Sequence, residues 1–275
     1  MTDGPQTTTM HGLIIGGSSQ LAASLAPLLA DAGTKTITLT QHRRVEPVRA
    51  LAQTLSCRTR IASCDVTDTD ALRDLANAEL DFARQAGATL LVVYCCGAWR
   101  HGRLGQLASG HLTHAWTVGA SAPHRLANYL MRPDGPGVRF VMVSGSSGPA
   151  NHLAGNSIYA MVCDAARAMV ACLGAECLES IREGGPDRFA AGVQLGLVQK
   201  GQPWSAAFEK ETGLRFAPDY TEAAQVCALL LSGGLPSASG SVFELRGDMR
   251  TYAPLLDFLA SGQTRSRAER AEQVT

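Results

Sequence analysis

The sequence predicts one α/β domain, a doubly wound parallel sheet of seven strands with helices on both faces. Three observations predict it. Apolar runs of strand length alternate with amphipathic segments of helix length almost throughout, the pattern of a parallel sheet buried on both sides. No linker-like stretch or internal repeat interrupts the 275 residues, a length one α/β unit can fill. Hydrophobic residues make up 45%, enough for a full core.

In chain order, the strands fall at Gly12–Gly16, Thr36–Thr40, Thr59–Cys64, Thr89–Cys95, Arg139–Ser144, Ala190–Leu195 and Ser241–Leu245. Each is a short run rich in β-branched or other apolar residues. Helices start near Gln20, Val45, Thr69, Gly110, Ser157 and Thr221, several bounded by turn signals such as Asp31-Ala-Gly33, Pro133-Asp-Gly-Pro-Gly137 and Gly184-Gly-Pro186. Segment 157–182 carries a helical stripe: Tyr159, Val162, Ala166, Met169, Val170, Leu173, Cys177 and Ile181. Residues 1–10 and 263–275 are polar and expected to be mobile ends.

Lys+Arg and Asp+Glu balance at 24 each, with no basic stripe, which argues against a nucleic-acid partner. No run of 18 apolar residues argues for a membrane span, and Met1–Met10 has no apolar core of a signal peptide. Eight cysteines lie mostly in apolar runs without zinc-site spacing, so neither a metal site nor a disulfide framework is expected. Cys95 and Cys96, adjacent on an extended strand, are badly placed to pair with each other. The expected compartment is the reducing cytoplasm.

From residue 12 the chain reads Gly-Leu-Ile-Ile-Gly-Gly-Ser-Ser-Gln-Leu-Ala-Ala and runs into an apolar helix. A strand feeding a small-residue turn and a helix N-terminus can cradle a pyrophosphate on free N–H groups and the positive end of the helix dipole. That makes Gly16, Gly17, Ser18, Ser19, Gln20 and Leu21 candidate cofactor residues. After the second strand, Gln41-His-Arg-Arg44 offers Arg43 and Arg44 and no carboxylate. Arginine there suits a 2′-phosphate, so NADP(H) is favoured over NAD(H), with no cofactor as the remaining alternative.

These segments resemble the short-chain dehydrogenase/reductase family, and the resemblance covers about residues 10–250. It implies a Rossmann-type domain over 11–262 with a substrate lid at about 197–218. The family's Gly-x-x-x-Gly-x-Gly falls on Gly16, Gln20 and Ala22, so one of three glycines is kept. Cys64-Asp65-Val66 resembles its adenine-contacting Asp-Val, implying roles for Asp65 and Val66. Tyr94-Cys-Cys-Gly97 stands at its Asn-Asn-Ala-Gly, implying Cys96 and Gly97 beside the cofactor.

The family's catalysis uses a Tyr, a Lys four residues later, a Ser on the preceding strand and an Asn on an earlier helix. The resemblance puts Tyr159 at the Tyr, Ser146 at the Ser with Ser144 as second choice, Cys163 at the Lys and Gly119 at the Asn. Leu195-Gly196 replaces Pro-Gly, and Lys200 stands at the usual Thr. Without the Lys cation the phenol keeps its proton to higher pH. In the lid, Trp204 and Phe208 suit an apolar or ring-shaped substrate; Arg100, His101 and Arg103 could form an opposite wall.

Three readings stay open. The first is an atypical NADP(H)-linked oxidoreductase acting on a small-molecule carbonyl or alcohol. The second is a non-redox enzyme of the same fold: a cyclase, isomerase or dehydratase. The third is a catalytically silent subunit paired with an active homologue, or a nucleotide sensor. The resemblance implies that helices near 107–131 and 157–182 pair copies into a homodimer or homotetramer, with a hetero-oligomer under the third reading.

Overall fold

The computed structural model describes residues 9–98, 105–145, 157–196 and 219–245. Seven strands form one parallel sheet: β1 (Thr9–Ile15), β2 (Thr36–Gln41), β3 (Arg58–Ser63), β4 (Ala88–Tyr94), β5 (Val138–Gly145), β6 (Arg188–Leu195) and β7 (Val242–Leu245). Their spatial order is β3-β2-β1-β4-β5-β6-β7. The doubly wound fold that the sequence predicts is therefore present, each strand lying within a few residues of its expected place. Lid residues 197–218, the Arg100–Arg103 wall, Ser146, Lys200 and residues 1–8 and 246–275 fall outside the described residues, while Thr9 and Met10, expected in a mobile end, open β1.

Alternation along each strand divides the core into two layers. Ile14, Leu91, Val93, Val141 and Val193 face α1 (Gln20–Asp31), α2 (Val45–Thr54) and α7 (Thr221–Leu231). Leu13, Ile15, Leu90, Val92, Phe140 and Met142 face α3 (Thr69–Ala86), α5 (Ala122–Leu130) and α6 (Ser157–Arg182). Helix ends follow local chemistry. Asp68 caps α3 by accepting from the Asp70 and Ala71 amides, and Gly87 ends it at φ 58°, a conformation that favours glycine.

Two expectations are corrected. The single helix expected from about Gly110 is instead α4 (Ser109–Trp116), a π-helical turn at Thr117–Ser121, and α5. In the α6 stripe Val162, Ala166, Val170, Leu173 and Cys177 are buried, but Ile181 is 44% exposed and joins Met161 and Leu178 outside. By length and composition α6 could cross a membrane, with mean hydropathy 1.5, yet a third of that window is buried against the domain.

The strand order fixes where a ligand can sit. The chain winds outward from β1 through β2 to β3, then restarts at β4 on the other side of β1. This reversal of winding between β1 and β4 is the arrangement in which such sheets take a ligand beyond the carboxyl ends of these two strands. Ile15 pairs with Tyr94 at that edge.

Candidate active site

Gly16 turns the chain out of β1 at φ +92°. A side chain there would be strained, and its Cβ would also meet the Cys96 and Cys95 sulfurs at 3.1 and 3.2 Å. The turn is tied to β2: the Gly16 amide donates to Thr40 Oγ1 (2.9 Å) and the Gly17 amide to the Thr40 carbonyl (3.1 Å). Gly17 thus contributes by close packing, its N–H already used. Ser19 caps α1 by accepting from the Ala22 amide at 3.1 Å. Gln20 and Leu21 lie in the first turn, where amides lack intrahelical acceptors, next to half-buried Ser18. Gln20 is exposed, so its side chain need not fill the turn.

Arg43 and Arg44 are exposed at the end of β2. Arg43 Nε donates to His42 Nε2 at 3.1 Å, and His42 Nε2 stands 3.6 Å from an Asp65 carboxylate oxygen. The other Asp65 oxygen accepts from the Thr67 amide (2.9 Å) and hydroxyl (2.7 Å). Those two bonds, with His42 and Arg43 adding, hold the Asp65 carboxyl below its ordinary value. Val66 is half-buried on the core behind it. Gly97 is exposed with open space around it, and Cys96 packs beside Gly16.

At the end of β5, Tyr159 presses its phenol on the backbone. A Cβ at Gly145 would fall 2.0 Å from the Tyr159 hydroxyl oxygen, so only glycine admits this placement. The hydroxyl bonds the Cys163 sulfur. Burial first, then Cys163, then the neighbouring Tyr220 push the phenol well above its usual value. Burial pushes the Cys163 thiol up to about 11, with Asp164 adding and the Gly145 backbone and Tyr159 hydroxyl opposing. Both groups therefore hold their protons through neutrality. Ser144 turns its hydroxyl to the Gly145 carbonyl at 3.3 Å.

Three contributors escaped sequence reasoning. Buried Gln194 on β6 donates to the Cys163 carbonyl at 3.1 Å and accepts from Arg167 at 2.9 Å, while Arg167 also pairs with Glu244 on β7. This chain of contacts holds the first turns of α6 on the sheet. A polar Gln in an apolar strand was the available signal. The second is Tyr220, at the start of α7, which no motif marks. The third is Tyr94: buried where the family has Asn, it donates to the Val118 carbonyl (2.5 Å) inside the π turn. At Gly119 a Cβ would strike Val162 at 2.3 Å, so the Asn of the resemblance has no room against α6.

Residues 11–179, more than half of the chain, match the family described as KR domain. No curated protein matches. Among solved structures, a short-chain dehydrogenase from Burkholderia cenocepacia in complex with NADP is similar, at 20% identity and TM-score 0.75, covering 87% of this chain and 97% of that one. A short-chain dehydrogenase/reductase from Serratia marcescens gives 17% and 0.73 with the same coverage. BdcA in complex with NADPH gives 19% and 0.70, covering 87% and 94%. At these identities the likeness is one of fold. The matched span runs from β1 to near the end of α6, through the turn at Gly16 and the pair Tyr159–Cys163, and the chain, whose fold is like that of the short-chain dehydrogenases/reductases above, belongs to the KR-domain family.

Proposed function

We propose that the chain is an NADP(H)-linked oxidoreductase that reduces a small-molecule carbonyl, with Tyr159 as general acid. One observation carries the reading: at the carboxyl end of the sheet a phenol is held protonated against Gly145. Similar structures bound to NADP and NADPH support a nucleotide here. The residues fit such a group. The turn out of β1 is made by Gly16 at φ +92°, a backbone conformation that favours glycine. The first-turn amides of Gln20 and Leu21 lack intrahelical acceptors and, with the helix dipole, suit an anion, and Arg43 and Arg44 offer charge to a 2′-phosphate. Bound NADPH would supply the hydride.

The chain's own part is proton delivery and positioning. Tyr159 gives its proton to the carbonyl oxygen, and Ser144 or Ser146 orients that oxygen. Cys163 brings no cation, so the phenol is not drawn toward phenolate and stays neutral and protonated through neutral pH. Reduction is favoured over oxidation, with a rate flat through neutral pH. Gln194 and Arg167 keep the Tyr159 turn seated. The lid and loop residues Trp204, Phe208, Lys200, Arg100, His101 and Arg103 are proposed to bound the substrate. Eight unpaired cysteines suit a reducing cytoplasm.

Tyr159→Phe tests the assignment on a carbonyl panel. It should cost about 10²-fold or more in turnover while NADPH binding is kept. Unchanged turnover would assign Tyr159 to packing. NADPH binding without turnover on any carbonyl would favour the silent-subunit reading, for which the thiol at 163 is the supporting observation. NADPH should bind more tightly than NADH, and Arg43→Ala with Arg44→Ala should erase the difference. Exposed Leu112 and Trp116 on α4, with Met161, Leu178 and Ile181 on α6, support pairing of copies. Light scattering should then give a dimer or tetramer, against about 29 kDa for one chain.

A further inference from the structure

α5 and α6 cover the same face of the sheet, and a cleft of about 190 Å³ opens between them beside the start of β6. Its floor includes Ala127 and Cys177, both buried and short, and its rim carries exposed His124, Asn128 and Glu176. It is smaller than the roughly 300–1,000 Å³ of drug-sized sites but holds more than a single water. Glu176 and Tyr159 stand about 25 Å apart along α6, at a rise of about 1.5 Å per residue. The cleft is therefore separate from the candidate active site.

Two opposite charges line this cleft, and neither is paired. Arg188 opens β6 and is 8% exposed. Its Nη2 bonds the Arg132 carbonyl, its Nη1 reaches the Ser180 hydroxyl at 3.4 Å, and its buried Nε has no acceptor. The adjacent Asp187 pairs instead with Arg139 at 2.8 Å. Among the described residues no carboxylate pairs with Arg188 and no cation with Glu176. A buried guanidinium without an anion is costly, and a carboxylate is among its strongest partners. Glu176 on the rim attracts a cation and disfavours a second negative charge. We propose that the cleft binds a small zwitterion of the α-amino-acid class, its carboxylate on Arg188 and its ammonium on Glu176. Such a molecule carries both charges on one carbon, and so links two protein charges that do not meet each other. His124 and Asn128 add hydrogen-bonding groups at the rim, and the volume limits the ligand to a small side chain.

L-Alanine is the probe, titrated into the full chain and followed by NMR at the Arg188 Nε–H and the Glu176 backbone amide. Both signals should shift together and saturate at millimolar alanine. Propionate, which lacks the ammonium, should bind about 2–5-fold more weakly, the worth of an exposed ion pair. Ethylamine, which lacks the carboxylate, should bind about 10-fold or more weakly. Glu176→Gln, on the exposed rim, should bring alanine and propionate to equal affinity, and Arg188→Gln should abolish the shift at Glu176. If Arg188→Gln does not fold, the three probes on the unmodified chain still decide. Equal binding of alanine and propionate by the unmodified chain, shifts confined to Gly16 or Tyr159, or no saturation would each overturn the site. So would an Arg188 signal that changes on dilution of the chain without alanine, since a second copy would then be the occupant.

Discussion

A thiol at position 163 changes the chemistry of the residue one turn before it. Lysine there would favour tyrosinate; Cys163, itself protonated through neutrality, gives no such help and accepts the Tyr159 hydroxyl bond. Glycines complete the replacement. Gly145 admits the phenol, and Gly119 lets α6 approach the π turn until a Cβ there would be 2.3 Å from Val162. Gly119→Ala should therefore cost about 1–3 kcal/mol from overpacking, read from denaturant midpoints. Val162→Ala in the same chain should recover part of that loss, since it removes the atom struck. If the two losses simply add, the contact is not the cause.

At the scale of elements, α3 is pinned to the sheet by a buried polar cluster far from the site. Glu79 and His11 are each 1% exposed. One Glu79 oxygen meets His11 Nε2 at 2.5 Å and accepts from the Thr38 hydroxyl at 2.9 Å, and Arg60 pairs with the other at 3.2 Å. His11 Nδ1 faces the Thr36 carbonyl at 3.1 Å, and the Arg60 guanidinium lies over Phe82. Glu79→Ala would leave buried His11 and Thr38 without their shared acceptor and Arg60 without its ion-pair partner, at a cost of about 3–5 kcal/mol. A loss below about 1 kcal/mol in guanidinium denaturation would mean that water replaces the carboxylate.

Legibility followed the same division between local and long-range contacts. Strand runs, the α1 turn and the helix that carries Tyr159 could be read because each depends on local periodicity or spacing. The break at Thr117–Ser121 could not, since it is stabilised by Tyr94, 24 residues earlier in the chain. Nor could the Gln194–Cys163 contact, which joins a strand to a helix 31 residues away. Glu79 stood in the apolar stripe of α3 as a readable anomaly, but its partners come from three strands. The paired exposure of α4 and α6 was only half legible: the apolar surplus was visible, but not which residues it would expose.

At the scale of the molecule, the two-layer core is unusually rich in thiols, and this sets how its stability should respond to pH. Cys64, Cys163 and Cys177 are at most 4% exposed, and burial raises each thiol to about 11. Cys95 is raised as far, and Cys227 is pushed further still. In the unfolded chain a thiol ionises near 8.5. Between these values the unfolded state has released protons that the folded state keeps, so the unfolded state binds fewer protons and stability falls as pH rises. The stabilisation is fully present below about pH 8 and is lost progressively toward pH 11. By pH 10 the loss should be on the order of 1 kcal/mol for each of Cys64, Cys163 and Cys177. Urea midpoints in reducing buffer at pH 8 and pH 10 measure it. Cys163→Ala with Cys177→Ala should flatten the decline while lowering stability at pH 8 through lost packing. A midpoint that stays constant from pH 8 to pH 10 in the unmodified chain would mean that the buried thiols ionise as freely in the folded state as in the unfolded one.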